Sequence, residues 1–348
     1  MSSVNTILIR MTAKGHGAVN YDSSENQSAL IAAHKWEKSV GHLVDHNNNV
    51  SLAKKVFYFD ENGDFAYNLK VSTECVKKSI TGGSVNQSIM ADNVELYNWI
   101  MSPMSILSGF LFANKNKNIS LKKKSAVTIT PFVECGNAVS HLEFHSSGTG
   151  EKRKTADANV TDNSIHKKES IGETQYTSVG KIDVQELSFM SGDESFDRKA
   201  FDSDNINLIL NVLEKNGEKP SYGYFSKIIP SFFFKTNYIG IPELGIRFSD
   251  DFVKNIIREF FARLLSSSIR KGDALFEIDS LEIKLVTNII DQRIDDEEGW
   301  VKLGSLNDVV ALDFEVPDVY QLQDFEKTKY ARELLSKNFQ AMMQKPKK

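Results

Sequence analysis

Cysteine is nearly absent: the 348 residues contain two, Cys75 and Cys135. Two cysteines build no disulfide framework, and these two lack the spacing of a zinc site, so a reduced, cytoplasmic setting is expected. Long apolar runs are missing as well. None approaches the ~18 residues that span a bilayer, and the N-terminus lacks the basic-then-apolar pattern of a secretory signal, so no membrane partner is expected. The phosphate-cradling glycine patterns of nucleotide enzymes are absent, both the Walker string and G-x-G-x-x-G. No nucleophile elbow or Cys–His signature marks a hydrolase. Seven histidines are present, but they form no metal pattern. His42 and His46 have ligand spacing without the glutamate a zincin needs, and His141 and His145 lie four apart with no cluster to complete a site. No metal and no cofactor are expected.

A strong charge of one sign is also lacking. The 42 Lys+Arg and 46 Asp+Glu leave a net charge of −4, which argues against binding a polyanion through bulk charge alone. Distribution says more than the sum. Residues 1–190 carry 20 basic against 19 acidic side chains, and residues 191–348 carry 22 against 27. Acid concentrates in 191–197 (SGDESFD) and 291–299 (DQRIDDEEG). The basic runs fall earlier, at Lys115, Lys117, Lys122–Lys124, 152–154 and 167–168. A polar molecule with one basic face fits this pattern, and so does a head-to-tail oligomer with complementary patches. Apolar residues make up 41% and aromatic residues 10%, enough for real cores in one large or two ordinary domains.

The stretch from Val139 to Leu187 stands apart. It opens on an alternating run, closes on Tyr176, Val179, Ile182, Val184 and Leu187, and between them is rich in Ser, Gly, Thr, Asp and Lys. That is the pattern of a projecting hairpin with a long polar excursion. Its cations come as Lys152-Arg153-Lys154 and Lys167-Lys168, one group on each flank. An excursion of this kind is expected to reach a polyanion.

Elsewhere the pattern is mixed. Asn5–Ala13 alternates as a first strand. It runs into KGHGAVNYD, where Gly15 and Gly17 flank His16 and permit a tight turn or a close backbone approach. Ser23, Ser24 or Asn26 caps a predicted helix with Ala29, Leu30, Ala33 and Trp36 inside and Lys35 and Lys38 outside. Residues 54–60 and 65–72 around Asn62-Gly63 read as a hairpin. Ser72 or Thr73 then caps a helix whose first turns carry Lys77 and Lys78, a combination of amides and cations that suits a phosphate. Residues 94–113 are helical in part, interrupted at Pro103 and Gly109, and a strand is expected over 126–133. Later come a helix over 204–215, strands near 228–238 and 245–248, a long helix from Asp250 or Asp251, one more strand or a hairpin over 275–286, and an amphipathic helix from about Asp324. There is no regular βα repeat, so an α+β fold around an antiparallel sheet is expected.

Several of these pieces, in this order, resemble the backbone (seven-type Cas) subunit of class 1 CRISPR effector complexes. They are the first strand running into KGHGAVNYD, the hairpin passing into KVSTECVKKSI, SPMSILSGFLFA, SSGTGEKRK and TQYTSVGKIDVQELSFMS. The resemblance covers about two thirds of the chain, mainly residues 5–190, and is to the type I-F variant or type IV members of the RAMP superfamily. It implies a single palm-like domain over 1–348, a modified RNA-recognition (ferredoxin-like) palm with helical insertions, and a projecting thumb or web at 144–175. It also implies a non-catalytic subunit that binds CRISPR RNA, stacks head to tail with copies of itself beside further effector subunits, and meets target DNA through guide pairing. The RNA-facing residues would be Lys14, His16, Asn20, Lys35, Lys38, Ser72, Lys77, Lys78, Lys152, Arg153, Lys154, Lys167 and Lys168. Compared with type III relatives, no obvious acidic residue stands in a matching thumb loop, so the resemblance does not imply cleavage of a target RNA. The alternative is a metal-independent endoribonuclease that processes precursor CRISPR RNA with His16 as general base, since a single placed imidazole can run attack by a 2′-hydroxyl.

Overall fold

β1 (Thr6–His16) is the strand on which the rest is assembled. Ile7, Ile9, Met11 and Ala13 are buried on one face, while Thr12, Lys14 and His16 are exposed on the other. Alternation of this kind follows from the two-residue period of an extended chain and fixes which face meets the core. The computed structural model describes residues 3–22, 50–81, 93–114, 119–136, 140–146, 165–193, 199–229, 238–239, 242–271, 273–287 and 293–321.

With strands numbered in chain order, β1 lies between β18 (Ala274–Val286) and β12 (Thr174–Asp183) in a nine-stranded sheet, antiparallel to both. From β18 the sheet ends at β17 (Ser268–Lys271), with β19 (Val301–Lys302) also on that edge. From β12 it continues through β9 (Phe132–Glu134) and β5 (Phe65–Val71) to β4 (Lys55–Phe59), and β8 (Val127–Ile129) pairs with β12 alongside. A second sheet runs β10 (Ser140–Ser146), β11 (Ile165–Ile171), β3 (Val50–Ala53), β2 (Tyr21–Asp22). A third runs β13 (Phe189–Ser191), β16 (Glu243–Arg247), β14 (Ser221–Ile229), β15 (Tyr238–Ile239), with β20 (Val319–Gln321) also on β14, and β6 (Phe110–Asn114) and β7 (Ile119–Lys123) form a ribbon.

The described helices are α1 (Thr73–Thr81), α2 (Asn93–Ile100), α3 (Pro103–Ser108), α4 (Val184–Leu187), α5 (Ile206–Lys215), α6 (Asp250–Leu265) and α7 (Leu306–Ala311). The longest, α6, buries Val253, Ile256, Ile257, Phe260, Phe261 and Leu264, the stripe its sequence periodicity predicts. Its start is doubly fixed: Ser249 Oγ accepts from Phe252 N, and the buried Glu218 carboxylate accepts from Ser249 N at 2.6 Å and from Ser249 Oγ at 2.7 Å. Pro103 opens α3 behind the Ser102 cap, because a residue without an N–H loses nothing in the first turn. Helices mixed with sheets that are antiparallel, except where β3 runs parallel to β11, are thus the architecture.

Three expectations need correction. The strand expected over 126–133 is two, β8 and β9, split at Pro131, which has no N–H to give a ladder. His16 does not sit in a glycine turn: β1 continues through Gly15 and His16, and the turn begins at Gly17. The arms of the central hairpin are β10 and β11, so Lys167 and Lys168 belong to a strand, and Tyr176 to Ile182 lie in the main sheet instead. The predicted helices at Ala29–Trp36 and from Asp324 lie outside the described residues.

Candidate nucleic-acid interface

Two glycines let the end of β1 lie against the start of β18. A Cβ on Gly15 would stand 2.9 Å from Leu275 O, and one on Gly17 would stand 2.8 Å from Ala274 Cβ and 2.9 Å from its Cα. Gly17 also has φ 65°, a left-handed backbone that other L-residues adopt at a cost. Of the two roles the sequence permits, close backbone approach is what Gly15 provides, and Gly17 combines it with the turn. Gly17 N donates to Ile171 O at 2.7 Å, which ties the second arm of the β10–β11 hairpin to the same place. Beneath, Tyr176, Phe276 and Phe132 stack edge-on, with centroids 5.5 and 5.1 Å apart. Burial, and secondarily the Glu134 carboxylate, push the Tyr176 phenol far above its ordinary range, so it stays neutral.

Three elements meet this sheet end. Asn20 O accepts from Lys54 N, and Lys54 O accepts from Lys70 N at 2.8 Å. With its amide turned to satisfy both neighbours, Asn20 donates to Lys70 O and accepts from Ser72 N, each at 3.0 Å. Ser72 O receives Cys75 N and Val76 N, so the junction from β5 into α1 is held by Asn20 from one side and its own first turn from the other. Lys271 pairs with Ala274 across the β17–β18 turn, directly beside Gly17.

The electrostatic consequence shows at Cys75. Burial raises its thiol, and the positive charges of Lys271, Lys54 and Lys78 act to lower it. Three ammonium groups therefore act on this half-buried residue: Lys78 from its own helix, Lys54 from the link between β3 and β4, and Lys271 from the end of β17. Around the corner, on the outer face of the sheet, Lys14 and His16 border a cavity of about 380 Å³ with Glu173, Gln175, Leu275 and Glu277. Lys14 is held by Asp279 at 2.6 Å.

Of the expected contact residues, Asn20, Ser72 and Lys78 gather at the α1 start, and Lys14 and His16 lie on the neighbouring sheet face. Lys77 is half-buried on α1. Lys167 and Lys168 are strand residues of β11, opposite Phe144 and Glu143. Lys35, Lys38, Lys152, Arg153 and Lys154 lie outside the described residues. Sequence reasoning missed Lys54 and Lys271. Their signal was two basic dipeptides at strand ends, Lys54-Lys55 and Arg270-Lys271, and no periodicity argument brings 54 to 271. Lys55 itself is buried, donating to Ala53 O and lying over the Tyr67 ring. Among the described residues, no group of three His, Cys, Asp or Glu could hold a metal ion, and no helix is long and apolar enough to cross a membrane.

The fold and site define an α+β protein of antiparallel sheets with a cationic sheet end. The Type I-Fv CRISPR-associated protein Cas7fv-like family matches residues 3–302, and the chain belongs to it. That places it among the backbone subunits of class 1 CRISPR complexes. Among solved structures, a CRISPR RNA-guided surveillance complex chain is similar at 12% identity and TM-score 0.36, covering 80% of this chain and 68% of that one. A pre-nicking CRISPR RNA-guided surveillance complex chain is similar at 8% identity and TM-score 0.35, covering 80% and 75%. Likenesses of that size carry no functional weight. No match is found among curated proteins.

Proposed function

We propose that the chain is a non-catalytic, RNA-coating backbone subunit. It binds CRISPR RNA through phosphates, associates head to tail with copies of itself and with further effector subunits, and presents the guide for pairing with target DNA. The observation that carries this reading is geometric: the Asn20 hydrogen bonds bring Lys54 to the junction that opens α1, the helix that carries Lys78, and the pairing of Lys271 with Ala274 beside Gly17 brings a third lysine to the same sheet end, at the base of the β10–β11 hairpin. Cations gathered from separate parts of the chain bind a phosphodiester chain irrespective of base, which a subunit serving every guide sequence requires. On this reading the β10–β11 hairpin, with 147–164 between its arms, is the thumb, and the main sheet is the palm.

The test is a salt titration of binding to an unstructured single-stranded RNA. Each phosphate contact on a single strand contributes about 0.7 to the slope of log K against log salt, so replacing Lys54, Lys78 and Lys271 by Ala lowers the slope by about 2. The loss is the same for RNAs of different sequence. An unchanged slope removes this sheet end from the interface.

A further inference from the structure

The outer face of the main sheet carries a second set of cations that the site above does not use. The register sets Lys284 and Lys181 on either side of Leu8, and Arg10 lies two residues further along β1, between Glu282 and Val179. Two residues along a strand is roughly 6.6 Å, so Arg10, Lys284 and Lys181 form one compact group on the same face as Lys14 and His16. Of these, Arg10 and Lys284 are occupied by the chain's own acidic segment, 293–300. Arg10 Nη1 meets the Glu297 carboxylate at 2.9 Å. Its Nε donates to Ile294 O at 3.1 Å, Nη2 donates to Ile294 O and Asp296 O, and the guanidinium lies 4.2 Å over the Trp300 ring. Lys284 Nζ meets Asp296 Oδ2 at 2.7 Å. Asp295 and Glu298 add two more carboxylates to the same short segment.

We propose that Arg10 and Lys284, with Lys181, are a further phosphodiester-binding row, and that the 293–300 strap is a displaceable stand-in for the polyanion. The inference rests on the nucleic-acid reading above. The Asp296 and Glu297 carboxylates take the positions that phosphate oxygens would take, on cations that face the same side as Lys14. Both carboxylates are largely exposed, with side-chain accessibilities of 46% and 83%, so water can replace them when the strap lifts. The strap covers the two cations, whose side chains are 22% and 11% exposed, while its carboxylates face water, so lifting it opens both for a phosphate. RNA that extends along the sheet from the His16 end must compete with the strap for the last contacts.

The experiment compares wild type with Asp296→Asn/Glu297→Gln, using the full chain and a labelled unstructured RNA across a range of salt. Removing the two countercharges from Arg10 and Lys284 tightens binding at low salt by about threefold to thirtyfold. It also steepens the salt slope by about 1.4. Two controls separate this from a general loss of negative charge. Asp295→Asn/Glu298→Gln removes the same charge from the same strap without touching Arg10 or Lys284, and leaves affinity within about twofold of wild type. Adding Arg10→Gln/Lys284→Gln to the first variant abolishes its gain. An unchanged slope in Asp296→Asn/Glu297→Gln, or a gain that survives loss of Arg10 and Lys284, overturns the proposal alone. No binding by wild type or any variant overturns it together with the nucleic-acid reading.

Discussion

Gly17→Ala tests the geometry on which the sheet end depends. The added methyl meets two separate costs. At φ 65° an alanine pays about 1–2 kcal/mol of left-handed strain. Its Cβ would also stand 2.8 and 2.9 Å from the Cβ and Cα of Ala274, and these are not the far end of a flexible side chain. The end of β1 must move away from β18, which adds about 1–3 kcal/mol of overpacking. The sum is about 2–5 kcal/mol, or a fall in Tm of roughly 3–7 °C for a chain of this size. Gly63→Ala supplies the reference. It has φ 79°, but nothing lies within 4 Å of its added Cβ, so it carries the strain alone. The entropy that alanine removes from the unfolded chain is common to both variants and cancels in the difference. Thermal unfolding by circular dichroism measures both. Gly17→Ala should be the less stable by about 1–3 kcal/mol and should also lose RNA affinity, because the β17–β18 turn that carries Lys271 moves. Equal destabilisation of the two variants would falsify the close-approach argument.

Three further outcomes are expected. Glu218→Ala leaves Ser249 N and Oγ at the α6 cap without their acceptor and costs about 2–3 kcal/mol, read as a shift in the urea midpoint; a loss below about 0.5 kcal/mol would mean water replaces the carboxylate. The hydrogen bond from Lys284 holds the Asp296 carboxyl below its ordinary range, so the strap's contribution is present above the unfolded carboxylate pKa and fades as pH falls below about 4. The part of the tryptophan fluorescence change that Asp296→Asn removes reports this, and an identical acid transition in that variant would refute it. His16→Ala leaves labelled repeat RNA as intact as wild type does; a 2′,3′-cyclic phosphate product made by wild type and lost in the variant would install the endoribonuclease reading instead.

Local features were legible where a residue type has a single physical use. Asn62-Gly63 between aromatic-rich runs specified the β4–β5 hairpin, and the repeat of Val253, Ile256, Ile257, Phe260 and Leu264 specified α6. The two glycines around His16 signalled close approach but not its partner, because Ala274 is more than 250 residues away in the chain. The same distance hid Lys271. Pro131 should have divided the strand expected over 126–133, since its missing N–H is visible in the sequence alone. The placement of Lys167 and Lys168 failed for a different reason. A polar, charged strand such as IHKKESI has no apolar alternation to announce it, and only its pairing with SHLEFHS makes it a strand.

Charge is where sequence and structure part most usefully. Divided by halves, the chain is balanced early and acidic late, with its basic runs in the early part, yet the cations that act on Cys75 come from both halves, Lys54 and Lys78 from one and Lys271 from the other. Other cations of the later half are engaged internally. Lys254 pairs with Asp313 at 2.6 Å, Arg258 donates to Leu312 O, and Arg247 donates to Pro317 O while pairing with Asp250. Much of the later acid is likewise absorbed at short range, by these pairs and by the strap on Arg10 and Lys284. A net charge of −4 is therefore compatible with a surface that attracts phosphate, because the field at a site is set by the charges within about a Debye length of it, ~8–10 Å, and not by the sum over the chain. It follows that substitutions at Lys254 or Arg258 should weaken folding with little effect on the salt slope of RNA binding. Substitutions at Lys54 or Lys78 should do the reverse, and that contrast, measured on one set of variants, separates structural cations from binding ones.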